Sequence, residues 1–358
     1  MMSNVFEETE PVFLLRDYAT VSQDNSIDWN SLSHKAVLVT GATGEIGREV
    51  VKTLLFVNEE KNLSLKIFCL VRSKEKAEKL LGKFLLAYPN TLYLVFGGIT
   101  SFTLDEPIDY IIHTASPTSG AFFITKPVET IQTIVEGTLH TLEFARKKSV
   151  SSLVFLSSME VYGEARNNDV REEDLAKISL NAVRSSYPEA KRLAELLCFS
   201  YCEEYSVPSR IVRLTLTFGT HLSEKDNRVY AQFARAARRG ENIILHTQGK
   251  TRRDYLYTID AVRAILAILT RGQNGTTYNV SNPKSFLSIR EMAELAASFN
   301  PKSQVQINED EGNAKGYAPT VEICLNNDRI NALAPFERTS IETMFHHLIV
   351  DSPKVDSE

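Results

Sequence analysis

Positive charge is in short supply. The 40 Lys and Arg residues are outnumbered by 45 Asp and Glu, for a net charge of −5. A global basic field is absent, so no nucleic-acid partner is expected; a local basic pocket for a phosphorylated small molecule is still compatible. Cysteine is scarce too. Cys69, Cys198, Cys202 and Cys324 form neither a disulfide framework nor paired CxxC zinc motifs, and no metal is expected. Cys198 and Cys202, four apart, read as a buried thiol pair on one helix face. A reducing cytoplasm is the expected setting. Long apolar runs are missing: none reaches the roughly 18 residues of a membrane helix, so no membrane partner is expected. Met1 to Glu8 has no basic stretch followed by an apolar one, so no signal peptide is read. What the 358 residues do have is 43% hydrophobic content, enough for a substantial core in one large domain or two joined ones.

Residues 1–34 form a polar, acidic extension, expected as a packing arm. After it comes a regular alternation. Ala36–Val39, Ile67–Val71, Leu92–Phe96, Ile108–Ile112, Leu153–Leu156 and Ile211–Leu214 are short apolar runs. Runs of this kind suit strands covered on both faces. Helical patterns lie between several of them, over Glu45–Val57, Lys74–Leu86, Val128–Lys147 and Pro188–Tyr205. The fold class expected is α/β, a doubly wound (Rossmann) parallel sheet over 35–217. A smaller α/β substrate-binding lobe is expected over 218–350 and from a loop inserted near 164–186. Residues 351–358 read as a loose tail.

Thr40-Gly41-Ala42-Thr43-Gly44-Glu45-Ile46-Gly47 joins the first strand to the first helix. A pyrophosphate can sit on the free N–H groups of a helix N-terminus reached through such a turn. Gly41 permits the turn, Gly44 lets the backbone approach the phosphates, and Gly47 lets helix and strand close up. The second strand should end near the adenosine ribose. No acid stands between Lys61 and Ser73 to accept from a 2′-hydroxyl, and Arg72 leans toward the 2′-phosphate of NADP over NAD.

Tyr187 and Lys191 lie one helical turn apart in Tyr187-Pro188-Glu189-Ala190-Lys191. A free phenol, pKa about 10, is too weak an acid to serve as a base at neutral pH. A neighbouring ammonium would lower that value. Upstream, Ser157-Ser158-Met159-Glu160 closes the fifth strand. Ligands of doubly wound sheets bind beyond the carboxyl ends of strands, where a serine hydroxyl can share a substrate proton with Tyr187.

TGATGEIG at 40–47, HTAS at 113–116, SSMEVYG at 157–163, YPEAK at 187–191 and RRDYLY at 252–257 together resemble the extended short-chain dehydrogenase/reductases, within them the nucleotide-sugar epimerases and dehydratases. The resemblance spans residues 35–345. It implies NAD or NADP as cofactor, a nucleotide-diphosphate sugar as substrate and a homodimer built on the Val128–Lys147 and Pro188–Tyr205 helices. By that resemblance Ser158 and Tyr187 are catalytic, and Lys191 also holds the nicotinamide ribose. Gly41, Thr43, Gly44, Glu45, Ile46, Gly47, Arg72, Ile99, His113, Thr114 and Ala115 belong to the cofactor site. Ser116, Ser158, Met159 and Arg253 belong to the substrate site, with Arg253 on the diphosphate. The implied reaction oxidises the sugar 4-hydroxyl to a 4-keto intermediate, from which epimerisation, loss of water or loss of carbon dioxide can follow.

The chain also departs from its relatives. The Asp-Glu pair of many dehydratases reads Met159-Glu160, and methionine cannot donate a proton. Glu160 alone remains to act at C5. Ile134 stands where relatives have asparagine, Gly98 where they have an adenine-contacting acid. Leu216-Thr217-Phe218-Gly219-Thr220 replaces Asn-x-Tyr-Gly-Pro. Arg228, Arg235, Arg238 and Arg239 crowd a helix before Gly240; some are expected near the diphosphate, most on a solvated face. Two alternatives stay open: an NADPH-dependent reductase of a keto sugar or other carbonyl, and a non-catalytic cofactor-binding protein.

Overall fold

A computed structural model describes residues 5–165, 167–308 and 321–352. The centre of the molecule is a seven-stranded sheet. In chain order its first strands are β1 (Ala36–Thr40), β2 (Lys66–Val71), β3 (Leu92–Phe96), β4 (Tyr110–His113) and β5 (Ser152–Ser158). After β6 (Asn167–Val170), which lies elsewhere, comes β7 (Ser209–Leu214). Beyond it are β8 (Leu216–Phe218), β9 (Ile243–Leu245), β10 (Arg252–Tyr257) and β11 (Thr277–Val280). The order across the main sheet is β11-β7-β5-β4-β1-β2-β3, and every pair in it is parallel. The strand order reverses between β1 and β4, which makes the crevice beyond their carboxyl ends the binding position of this topology. Thr40 pairs in register with His113, and His113 with Phe155, so β1 and β4 end side by side while β5 runs three residues further, to Ser158.

Helices cover the sheet. The two leader helices are α1 (Val5–Thr9) and α2 (Val12–Ser22), followed by α3 (Glu45–Lys61) and α4 (Lys74–Ala87). Then come α5 (Gly120–Thr125), α6 (Pro127–Lys148) and α7 (Ser186–Tyr205). The second half adds α8 (Val229–Arg239), α9 (Thr258–Arg271) and α10 (Ile289–Ser298). Their ends follow local chemistry. α6 starts with Pro127 in its first turn, finishes on Arg146, Lys147 and Lys148, and is capped by left-handed Ser149. α10 opens with a capping box between Ser288 and Glu291.

The main sheet does not stop at residue 217. Its seventh strand, β11, and the buried helix α9 come from the region expected to form the second lobe. Thr277-Tyr278-Asn279-Val280 is too short and too polar to read as a core strand, yet all four residues are buried. The second lobe is a mixed sheet, β12 (Asn282–Ser288) beside β10, then β14 (Glu322–Leu325) and β6, with β8 also on β10. A small pair, β9 with β13 (Val305–Ile307), completes it. β6 does come from the 164–186 segment.

The N-terminal extension is helical and well packed. Phe6 meets Phe56 and Phe84 edge to face at 5.4 and 5.0 Å. The Tyr18 hydroxyl donates to Glu49 at 2.6 Å, and Lys52 pairs with Glu10 at 2.6 Å. Both partners on the core side belong to α3, so the arm is fastened to the helix behind the glycine turn. Of the tail, residues 353–358 lie outside the described residues. Cys198 is buried but Cys202 is only partly so, and the four thiols are free.

Candidate active site

The glycine turn is built by contact. Gly41 takes φ +69°, and a Cβ there would stand 2.7 Å from Thr114 Oγ1 and 2.8 Å from the Ala115 nitrogen. A Cβ on Gly47 would stand 2.4 Å from the Gly41 carbonyl. The turn therefore nests against the end of β4, held by Thr114, whose hydroxyl donates to the Thr40 carbonyl at 2.6 Å. Gly44 is exposed at the N-cap of α3 and offers no side-chain cap. An uncapped helix N-terminus next to an exposed glycine suits a dinucleotide pyrophosphate. Thr43 and Ile46 are partly buried beside it. Glu45 is engaged: Arg228 donates to its carboxylate at 2.6 Å.

The rest of the expected cofactor set divides. Arg72 follows β2, two residues beyond the Thr40–Leu70 register, and is exposed. Ile99 is buried and packs on α6, where a Cβ on Gly137 would touch it at 2.9 Å. His113 is buried between two hydroxyls, 2.7 Å from Thr40 Oγ1 and 3.3 Å from Thr138 Oγ1. Burial, helped by the Lys191 charge, holds its pKa down to about 3, so the ring is neutral.

Ser158, Tyr187 and Lys191 converge beyond the end of β5. Lys191 Nζ donates to the Leu156 carbonyl at 2.7 Å and lies 5.8 Å from the Tyr187 ring centroid. Burial lowers its pKa to about 7, against the opposing pull of Glu195. Tyr187 is 8% exposed and stacks on Phe123 at 4.2 Å. Burial pushes its phenol well above the usual tyrosine range and the Glu160 carboxylate adds to this, while the Ser158 hydroxyl and the Arg184 guanidinium pull the other way. Burial dominates the phenol, and Lys191, itself desolvated and bonded to a carbonyl, does not bring the expected net lowering.

Glu160 receives Arg184 at 2.8 Å. Met159 is buried, 3.2 Å from the Thr215 hydroxyl. Ser116 is partly exposed, its hydroxyl on the Pro117 carbonyl at 3.1 Å. Arg253 is half-buried in β10, and its Nε is buried with no hydrogen-bond partner among the described residues. A donor left open in that way fits an anionic ligand. Asp254 beside it is structural: it accepts from Thr215 Oγ1 at 2.9 Å and from the Leu325 nitrogen at 2.9 Å.

The arginines before Gly240 do not form one phosphate-facing row. Arg228 binds Glu45 and Asp226, and Arg235 and Arg239 return to Ser223 and Glu224 in the preceding loop. Arg238 reaches the Ser352 carbonyl. Two residues of the site carried no signal in the sequence. Phe123 reads as an ordinary helix residue, and Arg184, three before Tyr187, as a loop charge; only the fold stacks one on the tyrosine and sets the other on Glu160.

A glycine-built phosphate turn at the switch point, with a Ser–Tyr–Lys group beyond β5, defines a dinucleotide-dependent enzyme of the short-chain dehydrogenase/reductase type. The chain belongs to the NAD dependent epimerase/dehydratase family, whose description fits residues 37–281. Among its relatives is UDP-glucuronic acid decarboxylase 6 of Arabidopsis thaliana, 32% identical over 262 residues, 73% of each chain. The fold is shared with the UDP-glucose 4-epimerase of Thermotoga maritima, solved with UDP-glucose: TM-score 0.71, 21% identity, 88% of this chain and 97% of that one. It is shared equally with a dTDP-glucose 4,6-dehydratase of Bacillus anthracis in complex with NAD: TM-score 0.71, 22% identity, 88% and 95% covered.

Proposed function

We propose that the chain is an NAD-dependent decarboxylase of a nucleoside-diphosphate-linked hexuronic acid, working through a transient 4-keto sugar. The observation that carries the reading is the Glu160 carboxylate close to Tyr187, with buried Met159 where many dehydratases carry a second one. Eliminating water across C5–C6 requires both an acid and a base there. Losing carbon dioxide requires only one proton, delivered to C5 after the C5–C6 bond has broken. Epimerisation at C4 requires neither. The relatedness to plant UDP-glucuronic acid decarboxylases supports the same choice.

NAD, when bound, accepts the C4 hydride and returns it. Gly41, Gly44, Gly47, Thr114 and Ala115 would hold it. Tyr187 removes the 4-hydroxyl proton, with Ser158 Oγ orienting that oxygen. Lys191 sits close enough to favour the phenolate once it is protonated. The resulting ketone lies β to the C6 carboxylate. The C5–C6 electron pair then moves toward the C4 oxygen as carbon dioxide leaves, and C5 takes up one proton from solvent, relayed by Glu160. Tyr187 gives its proton back as C4 is reduced. Arg253 binds the diphosphate. Arg72 supports acceptance of NADP as well as NAD, checked by comparing their affinities.

The test is incubation with UDP-glucuronic acid and NAD. Release of carbon dioxide and a UDP-pentose without accumulating NADH is expected. Stoichiometric NADPH consumption on a keto substrate would replace this reading by the reductase. We also propose a homodimer. Val128, Ile131 and Leu139 on α6 and Leu193 and Leu196 on α7 are exposed apolar residues on neighbouring helices. Leu196→Glu is expected to turn a dimer into a monomer in light scattering. The four free thiols suit a cytoplasmic setting, and among the described residues no helix is long and apolar enough to cross a membrane.

A further inference from the structure

We infer that Arg184 is a substrate-positioning residue that receives the carboxylate of the sugar acid, and that Glu160 holds it in place until the substrate arrives. The inference rests on the decarboxylase reading and names the group that selects its substrate.

Three observations carry it. Arg184 NH2 donates to the Glu160 carboxylate at 2.8 Å, so the guanidinium is anchored on the carboxylate close to Tyr187. Its NH1 is buried and has no hydrogen-bond partner among the described residues. The guanidinium also lies over the Phe123 ring at 4.8 Å, and Phe123 stacks on Tyr187 at 4.2 Å with the rings 10° from parallel. A cation is thereby layered, through one aromatic ring, onto the residue that handles the 4-hydroxyl. The C6 carboxylate is two carbons from that hydroxyl. A planar guanidinium with one nitrogen engaged and another open is suited to a carboxylate, and a neutral hydroxymethyl group offers it no matching charge.

The experiment compares UDP-glucuronic acid with UDP-glucose, using the full chain with NAD. Binding and steady-state kinetics are measured for the wild type, Arg184→Gln and Arg184→Lys. The wild type is expected to favour the acid sugar. Arg184→Gln is expected to lose about tenfold or more in affinity for it, at least 1.4 kcal/mol, with UDP-glucose binding changed less than about twofold and Arg184→Lys partly restoring the preference. Unchanged UDP-glucose binding doubles as the control for folding. Equal weakening of both ligands assigns Arg184 a merely structural role and overturns the inference, as does a wild type that binds both sugars alike. If selectivity depends on Arg184 but no carbon dioxide is released, the decarboxylase reading fails and carboxylate recognition stands.

Discussion

The two sides of the crevice are built differently. On the cofactor side, backbone does the work: Gly41, Gly47 and the Thr114–Ala115 segment meet so closely that two missing Cβ atoms make the contact possible. Around Ser158 and Tyr187, where the substrate is proposed to bind, side chains do it, and several are foreign to the family pattern. Ile134 is 1% exposed within an apolar cluster with Ile99 and Phe155, so the lost asparagine has become core. Met159 has joined another cluster with Val161 and Tyr162, and Leu216 packs on the main core. A backbone-built site tolerates almost no change, because each added atom meets another main chain. A side-chain-built site can exchange polar contacts for packing and leave the fold intact.

Four perturbations would break or sharpen that contrast. The largest effect belongs to the chemistry both sides share: Tyr187→Phe should lower turnover by about 10²–10⁴-fold with dinucleotide affinity changed only a few-fold, read by single-turnover assay and calorimetry. Next, Gly47→Ala should abolish measurable dinucleotide binding and cost about 1–3 kcal/mol of stability, because its Cβ has only 2.4 Å to the Gly41 carbonyl; urea denaturation and titration with NAD check both. Ile134→Asn should cost about 1–3 kcal/mol through a buried amide without partners and leave dinucleotide affinity within a few-fold. A gain in activity would mean the site still has room for the family residue.

The last perturbation is a pH dependence, which leaves stability at neutral pH almost untouched. His113 has an unfolded pKa of about 6.5 and is held at about 3 in the folded chain. Between those values the unfolded chain binds the extra proton. Its contribution to stability is thus complete above about pH 6.5 and declines as pH falls toward 3. His113→Gln should flatten that part of the acid denaturation profile, measured as the urea midpoint between pH 7 and 4.

Much of this was readable in the amino-acid order. The six apolar runs became strands of the main sheet, and Gly41, Gly47, Ser158, Tyr187 and Lys191 were brought to one crevice, because alternation and glycine spacing are local signals. What stayed hidden depends on contacts across the fold. The acidic leader folds because Phe6 and Tyr18 find Phe56 and Glu49 on α3. β11 is a core strand because Asn279 is satisfied by Tyr162, Glu172 and Val170. Arg184 gains its place from Glu160 and Phe123, which are 24 and 61 positions away.

The Arg228–Glu45 pair ties two distant parts of the chain together. Arg228 belongs to the loop leading into α8 and Glu45 is the first residue of α3, so one ion pair joins the helix behind the glycine turn to the second half of the molecule. The pair is partly exposed and therefore screened by salt. If the dinucleotide proposed above rests on that helix end, its dissociation should quicken as ionic strength rises.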